Sequence, residues 1–253
     1  MVWASGLSDP GCSRANNQDR ISILLQSSVF VVADGMGGER CGGLAAEIVV
    51  ESVGTFLSQP RSEPDAWPFG YDPQFDLAGN NMWSAIQMAH QRILERGRQM
   101  PECRGMGSTI SAVNMKGRTA TIGTLGDSRV YLCRSNALVQ LTRDDSVVAR
   151  LVDAGEISPE DARVHPMRNV LTQAAGKAER VTPQVRQVEL NHADRLLLSS
   201  DGLHGVVGEE QMCAILNAGD DIEVTVRKLV AEGRKLGAPD NLSCVLVEYL
   251  NEY

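Results

Sequence analysis

Apolar residues recur along the chain with two spacings, and each spacing predicts a different kind of element. The short apolar runs 21–25 and 29–33 predict two strands that pair as a hairpin. The second run is apolar without interruption, as is typical of a buried strand. After it, apolar residues repeat every fourth position from Ala45 to Leu57, which predicts a helix over about 44–57.

The rest of the pattern continues in alternating groups. A stretch with turn signals at 114–117 and 134–136 resembles a strand meander, and helices packed outside two antiparallel sheets would fit this order. The pattern therefore predicts a mixed α+β fold. The further predicted elements are a helix over about 80–98, the meander over 108–141, helices over about 209–216 and 221–235, and a last strand over 242–249.

Two segments interrupt the regular pattern. Segment 59–79 is rich in Pro, aromatic and polar residues and is predicted to be an exposed loop. Its aromatic residues either pack on one another, which we favour, or contact a partner. Segment 143–176 contains two short helical stretches, 146–154 and 159–163, joined at Gly155. The aromatic residues of the first segment are Trp67, Phe69, Tyr71 and Phe75.

Composition narrows the class of protein. With 253 residues, 43% of them hydrophobic, the chain can bury a substantial core. Its net charge of −8, from 24 basic and 32 acidic residues, makes nucleic acid an unsuitable partner. We find no apolar stretch near ~18 residues and no signal segment, so we expect a soluble cytoplasmic protein without membrane contact. The six cysteines form no CxxC pairs, which favours reduced thiols.

Candidate chemistry comes from five aspartates, each at the edge of an apolar strand. Close-packed carboxylates repel one another, so a buried group of them implies cations that neutralise it. Oxygen ligands without Cys or His favour Mg²⁺ or Mn²⁺. Two such cations can hold an attacking water and clamp a phosphoryl group, which points to hydrolysis of a phosphate ester. The five are Asp19, Asp34, Asp127, Asp201 and Asp240.

Each of these motifs has a simpler interpretation when it stands alone. Asp34-Gly35 and Asp201-Gly202 could be ordinary turns, Asp127 could lie at a hairpin corner, and Asp240 could start a turn before the last strand. The repeated strand-Asp-Gly design argues against chance. Glycines after Asp34 let backbone groups approach an ion closely, so the Gly35 carbonyl could be a ligand.

Six short motifs follow one another along the chain: RANNQD (14–19), DGMGG (34–38), GMGST (105–109), GDSR (126–129), SDG (200–202) and DN (240–241). Together they resemble the motif series of the metal-dependent type 2C protein phosphatases (PPM family) in their bacterial form. The resemblance extends from about residue 14 to 247 and implies a four-layer αββα sandwich, two antiparallel sheets flanked by helices. It also implies one catalytic domain over 1–253, with a small helical flap at about 143–176 that reads the substrate.

The resemblance also implies a role for each position. Asp34 would bridge two metals with help from the Gly35 carbonyl, and Asp201 and Asp240 would ligate one of them. Asp19 would act on the other metal, largely through water. Asp127 with Asp201 would hold a weaker third ion. Arg14 would clamp the substrate phosphate, because a guanidinium fork meets two oxygens at once; the alternative is a surface salt bridge.

Departures from the family pattern leave the general acid unassigned. Met36 stands where animal members carry a His proposed as the general acid, and Glu39 and Asp145 also replace a usual His. None of these changes removes an expected ligand. His165 could donate a proton from the flap, although packing or capping is the commoner role for such a residue.

The implied activity is hydrolysis of phosphoserine and phosphothreonine by direct attack of a metal-bridging hydroxide. No covalent intermediate is expected, because the nearby hydroxyl residues Ser108, Thr109, Ser199 and Ser200 lack an adjacent His base. A monomer acting on phosphoproteins made by a Ser/Thr kinase is the expected context. The alternatives are a small-molecule phosphoesterase and a catalytically silent binding protein of the same fold.

Overall fold

Strands and helices alternate in groups, as the hydrophobic pattern predicts. The computed structural model describes residues 1–59 and 67–251, apart from the side chains of residues 39 and 40. The strands are β1 (Val2–Asp9), β2 (Arg20–Leu24), β3 (Val29–Ala33), β4 (Gly35–Met36), β5 (Gly107–Ser108), β6 (Ile110–Lys116), β7 (Thr119–Leu125), β8 (Arg129–Arg134), β9 (Ala137–Gln140), β10 (Gln184–Glu189), β11 (Asp194–Ser199) and β12 (Leu242–Tyr249). The helices are α1 (Gly38–Ser58), α2 (Leu77–Gln99), α3 (Val147–Asp153), α4 (Pro159–Val164), α5 (Asp201–His204), α6 (Glu209–Leu216) and α7 (Ile222–Lys235).

Two antiparallel five-stranded sheets form the centre of the fold. The first has the order β1-β12-β11-β8-β9 and the second the order β10-β7-β6-β3-β2. The predicted hairpin 21–25 and 29–33 is confirmed as β2 and β3, which pair with Ile21 opposite Val32. The two-residue strands β4 and β5 pair separately. β4 is the next strand after β3, and β5 is the strand before β6, so this short pair extends from the second sheet.

Alternation along the strands divides the core into three layers of side chains. In β3, Val29 and Val31 pack against α1 and α2, whereas Phe30 and Val32 pack against the first sheet. Leu197 of β11 faces α5–α7 on the far side. The result is helices, sheet, sheet, helices. The four-layer arrangement is confirmed, and β3 is buried on both faces as its continuous apolar run predicts.

Helix α1 begins six residues earlier than the periodicity predicts, at position 38 instead of 44. Glycine is a weak helix former, so the pair Gly42-Gly43 masks the first turns of the helix in the sequence. Close packing explains Gly42: a Cβ there would lie 2.6 Å from the Gly35 carbonyl oxygen. The first turns of α1 therefore press directly against the DGMGG loop.

The same helix corrects the expectation that no apolar stretch near 18 residues exists. Residues 41–58 have a mean hydropathy of 1.3, enough by length and composition alone to cross a membrane, and 61% of this window is buried inside the protein. It is the single such helix in the part of the chain that the structure describes. Its apolar residues, among them Ala45, Val49 and Val53, belong to the core between α1, α2 and the second sheet.

The predicted meander over 108–141 is wrong in one respect. β6 pairs with β7, and β8 pairs with β9, but the two hairpins lie in different sheets. The chain crosses between the sheets at residues 126–128, where Gly126 has φ +104 and a Cβ would clash with Thr109. Alternation shows that a strand has a buried face but does not say to which sheet it belongs. Asp127 is therefore at a crossover between sheets, not at a hairpin corner.

Strands β1 and β10 have no counterpart in the prediction. β1 contains few strongly apolar residues, and β10 is an edge strand with a mostly polar sequence. β1 pairs with β12 along its whole length, from Val2 opposite Tyr249 to Asp9 opposite Leu242. This pairing brings the RANNQD motif, just after β1, to the DN motif, just before β12.

The expectation of reduced thiols throughout is wrong. Cys41 and Cys103 form a disulfide with a Cα–Cα distance of 5.3 Å. This pair joins α1 to the short 3₁₀ turn Pro101–Cys103 after α2. A search for CxxC pairs detects cysteines that are close in sequence and misses partners 62 residues apart. The remaining cysteines, Cys12, Cys133, Cys213 and Cys244, are free thiols.

The two irregular segments behave largely as predicted. Of the loop 59–79, residues 60–66 lie outside the described part of the chain. In the rest, the Trp67 and Tyr71 rings are 6.1 Å apart and the Phe69 and Trp83 rings 6.4 Å apart, so these four aromatic residues pack on one another.

In segment 143–176, the predicted short helices are present as α3 and α4. His165 caps α4, and its Nδ1 accepts a hydrogen bond from the Met167 amide.

Candidate metal centre

A cleft of about 1010 Å³ opens where strand ends of both sheets meet. Four of the five candidate aspartates line it, together with Arg14 and Gly35. Residues 169–174, within the segment predicted to be the flap, form another wall of the cleft. Asp19 does not line the cleft and lies buried beside it. The lining aspartates are Asp34, Asp127, Asp201 and Asp240.

Asp34 is fixed by its own backbone. Its amide donates to Thr109 Oγ1 at 2.9 Å, and its carbonyl accepts from the Thr109 amide at 2.9 Å. Since Thr109 Oγ1 accepts that bond, its proton can go to Ser128 Oγ, which lies 2.7 Å away. The hydroxyl pair thus connects the loop that carries Asp34 to the crossover that carries Asp127.

Gly35 requires the absence of a side chain. A Cβ at this position would lie 2.0 Å from the Gly42 carbonyl oxygen and 2.8 Å from the Gln18 carbonyl oxygen. Any larger residue would therefore push α1 away from the loop. Gln18 itself holds the same region, because its amide donates to Asn241 Oδ1 at 2.8 Å.

Asp19 is held by a buried group of serines. Ser200 Oγ donates to Asp19 Oδ2 at 2.7 Å and accepts from the Ser243 amide at 3.0 Å. Ser200 directly precedes Asp201, so its hydrogen bond to Asp19 holds the segment that carries Asp201 beside the segment that carries Asp19. Asp19 Oδ1 is buried and has no hydrogen-bond partner among the described residues.

The carboxylates carry strongly perturbed acidities. Burial raises the pKa of Asp34 well above its ordinary value, and the charges of Asp19 and Asp201 raise it further. Burial, followed by the charge of Asp201, raises the pKa of Asp127 to about 8. Burial raises the pKa of Asp19 to about 6 and also raises the pKa of Asp201, which faces Asp240. These acidities describe carboxylates close enough to repel one another without water to screen them.

The donor set fits hard divalent cations. Asp201 Oδ1, like Asp19 Oδ1, is buried without a hydrogen-bond partner among the described residues, and an unpaired buried oxygen of this kind is costly unless a cation or water meets it. No three His, Cys, Asp or Glu side chains within 1–59 and 67–251 converge into a ready-made cage. A backbone carbonyl and water would have to complete the coordination, as is usual for Mg²⁺.

Arg14 forms an ion pair with Asp240 inside the cleft. Its Nε and Nη2 donate to the two Asp240 oxygens at 2.9 and 2.7 Å. Both side chains remain accessible, with 57% and 38% of their surface exposed. Arg14 thus forms a salt bridge, but the pair lies in the cleft that the other candidate residues line. Binding of phosphate by the same fork would require Arg14 to leave Asp240.

The prediction that none of the nearby hydroxyl residues has an adjacent His is wrong. Ser199 Oγ lies 2.9 Å from His204 Nδ1. However, Ser199 is 0% exposed and neither residue lines the cleft. Burial also lowers the pKa of His204 well below its ordinary value. The pair is structural, because no substrate could reach the hydroxyl.

Thr109, Ser200 and Asn241 are site residues to which the sequence assigned no role at the site. The Asn241 side chain accepts from the Gln18 amide and donates to the carbonyls of Pro10 and Asn16. It thereby fixes the loop that carries Arg14. Ser200 and Asn241 each stand beside a motif aspartate, and that position is a signal that could have identified them, whereas Thr109 has no aspartate beside it in the sequence.

Comparison with known proteins places these observations in one family. The sequence profile described as Protein phosphatase 2C matches residues 13–250. Protein phosphatase PhpP of Streptococcus pneumoniae is 32% identical over 252 residues, which cover 97% of this chain and 96% of that protein. The Mycobacterium tuberculosis serine/threonine phosphatase PstP/Ppp superposes with a TM-score of 0.87 at 29% identity, covering 99% of both chains. The catalytic domain of PstP in complex with two manganese ions superposes with a TM-score of 0.85 at 27% identity, again over 99% of each chain.

Proposed function

Because this chain belongs to the protein phosphatase 2C family, we propose that it hydrolyses phosphoserine and phosphothreonine in proteins and depends on divalent metal ions to do so. The observation that carries the proposal is the set of buried, mutually repelling carboxylates around one open cleft. Such a set is stabilised by cations, and cations in a cleft can in turn hold a phosphate.

The chain offers carboxylate and backbone oxygens as ligands for the ions. We assign Asp34 and the Gly35 carbonyl to the pair of principal ions. Asp201 and Asp240 would hold one of them, and Asp19 would act on the other, largely through water. Asp127 with Asp201 would hold a weaker third ion. When bound, the metals lower the pKa of water and offset the charge of the phosphoryl group.

Arg14 is the residue that we assign to the substrate phosphate. A guanidinium fork now paired with two carboxylate oxygens has the same geometry for two phosphate oxygens. Its partner Asp240 would then be available to a cation, so that ion binding and phosphate binding would favour each other. Met36, which also lines the cleft, cannot donate a proton, and no side chain there is assigned as the general acid.

Several finer points belong to the same proposal. Mn²⁺ and Mg²⁺ both suit the oxygen ligands, and a single catalytic domain over 1–253, with the flap at 143–176, would act as a monomer. We expect a cytoplasmic location and substrates phosphorylated by a Ser/Thr kinase. The disulfide between Cys41 and Cys103 does not argue for a reducing compartment, so the location rests on the family context alone.

Hydrolysis of a phosphothreonine peptide tests the proposal. Release of phosphate should require Mn²⁺ or Mg²⁺ and stop in EDTA. Full activity after exhaustive chelation would contradict metal dependence. A parallel assay with free nucleotides separates a protein phosphatase from a small-molecule phosphoesterase, and no turnover of either substrate would favour a silent binding protein.

The Arg14→Ala variant tests the phosphate contact. It removes the fork and leaves every carboxylate in place, so KM for the phosphopeptide should rise more than kcat falls. Arg234→Ala is a matched control, because Arg234 pairs with Asp9 at 2.6 Å and does not line the cleft. Unchanged KM and kcat in Arg14→Ala would remove Arg14 from the site.

A further inference from the structure

Asp145 joins two walls of the cleft without lining it. Its Oδ2 accepts a hydrogen bond from the Gly126 amide at 3.0 Å. Its Oδ1 accepts from the side-chain amides of Gln184 at 3.2 Å and Gln173 at 3.4 Å. Gly126 directly precedes Asp127, and Gln173 belongs to the flap wall.

The backbone of Asp145 repeats both connections. Its amide donates to the Gly126 carbonyl at 2.8 Å, and its carbonyl accepts from the Thr172 amide at 2.7 Å. Thr172 and Gln173 both line the cleft. One residue therefore contacts the crossover on one side and the flap wall on the other through main chain and side chain alike.

The two glutamines are themselves restrained. Gln173 Oε1 accepts from the Thr182 amide at 2.9 Å, and Gln184 Nε2 also donates to the Arg143 carbonyl at 2.8 Å. Neither amide can turn over without losing a bond. Both consequently present N–H groups to Asp145, as Gly126 does.

A carboxylate suits this position better than the residues of similar size. Ionised Asp only accepts, through two oxygens, whereas Asn has one acceptor oxygen and neutral His one acceptor nitrogen. Asn or His could satisfy the donor on one side only. The nearby arginines form their ion pairs with other carboxylates, because Arg129 pairs with Asp144 and Arg143 with Asp153.

We propose that Asp145 is a positioning residue that holds Asp127 and the flap wall 169–174 at a fixed separation across the cleft. The proposal rests on the phosphatase function proposed above. It assigns the two connections to different kinetic effects. Loosening of the Gly126 side displaces Asp127 and lowers kcat, whereas loosening of the flap side displaces the substrate wall and raises KM.

Four variants separate these effects. Asp145→Ala removes both side-chain connections, Asp145→Asn can keep the bond to Gly126, and Gln184→Leu removes one flap-side donor. Gln187→Leu is the matched control on the same strand, because its amide contacts Asp76 and Thr121 away from the cleft. Phosphopeptide kinetics with Mn²⁺ are measured beside tryptic cleavage after Arg163 and Arg168, two exposed residues of the flap.

Asp145→Ala should lower kcat about 10- to 100-fold, as removal of an outer-shell partner usually does, and should accelerate flap cleavage. Asp145→Asn and Gln184→Leu should mainly raise KM, and Gln187→Leu should change neither quantity. A kcat and cleavage rate within about twofold of wild type in Asp145→Ala would overturn the proposal. So would a lowered melting temperature as the sole effect.

The outcomes also distinguish this proposal from the phosphatase function. If the wild-type protein hydrolyses no phosphopeptide, the function is wrong, yet flap cleavage and Mn²⁺ stoichiometry by calorimetry still report on Asp145. Flap cleavage at the wild-type rate in both Asp145→Asn and Gln184→Leu would then overturn it. These two variants also serve if Asp145→Ala does not fold.

Discussion

At the residue scale, the five aspartates repel one another, and three of them are restrained by different neighbours. Thr109 fixes the backbone of Asp34, Ser200 holds Asp19, and Arg14 holds Asp240. The restraints come from residues far apart in sequence. These contacts hold the carboxylates close together against their mutual repulsion.

Replacement of Asp127 distinguishes a role as ligand of a third ion from a purely structural role at the crossover. Its carboxylate lines the cleft and burial raises its pKa to about 8, which a solvated turn residue would not show. If it serves a third ion, Asp127→Ala should cut phosphopeptide hydrolysis by roughly 10²-fold, about 3 kcal/mol, with two tight metals retained. Metal stoichiometry and kcat on this variant provide the measurement. Near-wild-type kcat with a lowered melting temperature would leave Asp127 a purely structural role.

The hydroxyl of Ser200 provides a second residue-scale prediction. Without its bond to Asp19, that carboxylate loses its orientation, so Ser200→Ala should weaken Mn²⁺ binding about 10-fold or more in a calorimetric titration. Ser199→Ala is the control: it removes a buried hydroxyl from the adjacent residue that contacts His204 instead. Equal loss of affinity in both variants would assign the effect to general destabilisation of this strand end.

Much of the candidate site could be predicted from the sequence, because strand-Asp-Gly motifs are local. The supporting contacts could not. Ser200 and Asp19 are 181 residues apart, and Arg14 and Asp240 are 226 apart, so only the pairing of β1 with β12 and the packing of the two sheets bring them together. A single sequence contains no direct signal for such distant contacts.

At the element scale, the segments with the strongest periodicity were predicted well. Errors arose where glycines or a crossover between the sheets interrupt the pattern. Helices α6 and α7 and strand β12 agree with their predicted ranges within a residue. The start of α1 was obscured by Gly42 and Gly43, and the lack of a side chain at Gly42 is needed against the DGMGG loop and Gln18. The division of the meander between sheets depends on the crossover at Gly126. Sequence periodicity describes an element, whereas its neighbours are decided by packing.

The disulfide leads to a prediction for α1 and the turn after α2. It closes a loop of 62 residues, and loop-closure entropy for such a length is roughly 4 kcal/mol as an upper figure. Cys103→Ser should therefore lower the free energy of unfolding, measured by urea denaturation under oxidising conditions. Cys244→Ser, at a buried free thiol, controls for loss of a packed sulfur. Equal denaturation midpoints for wild type and Cys103→Ser would show that the crosslink contributes nothing.

At the scale of the whole molecule, the buried carboxylates link folding to protons and metals. Their pKa values are raised in the folded state from 3.8, to about 6 for Asp19 and about 8 for Asp127, so the folded protein binds more protons than the unfolded chain between these values. The stabilisation that these groups contribute to the folded protein is present at a pH below their pKa in the unfolded chain. It is lost as the pH rises through their pKa in the folded protein. Divalent cations should replace the protons in offsetting the repulsion.

In EDTA, the melting temperature should consequently fall between about pH 5 and pH 8, and Mn²⁺ should raise it most at pH 8. Asp34→Asn removes the carboxylate that faces Asp19 and Asp201, so it should raise the melting temperature in EDTA, flatten the pH dependence and abolish turnover. Glu223→Gln, which changes an exposed surface carboxylate paired with Arg227, should leave the pH slope unchanged. Calorimetric scans of the three proteins with and without Mn²⁺ make the comparison. A wild-type melting temperature that rises towards pH 8 in EDTA would mean that the aspartates are not buried together, and the metal centre would lose its physical basis.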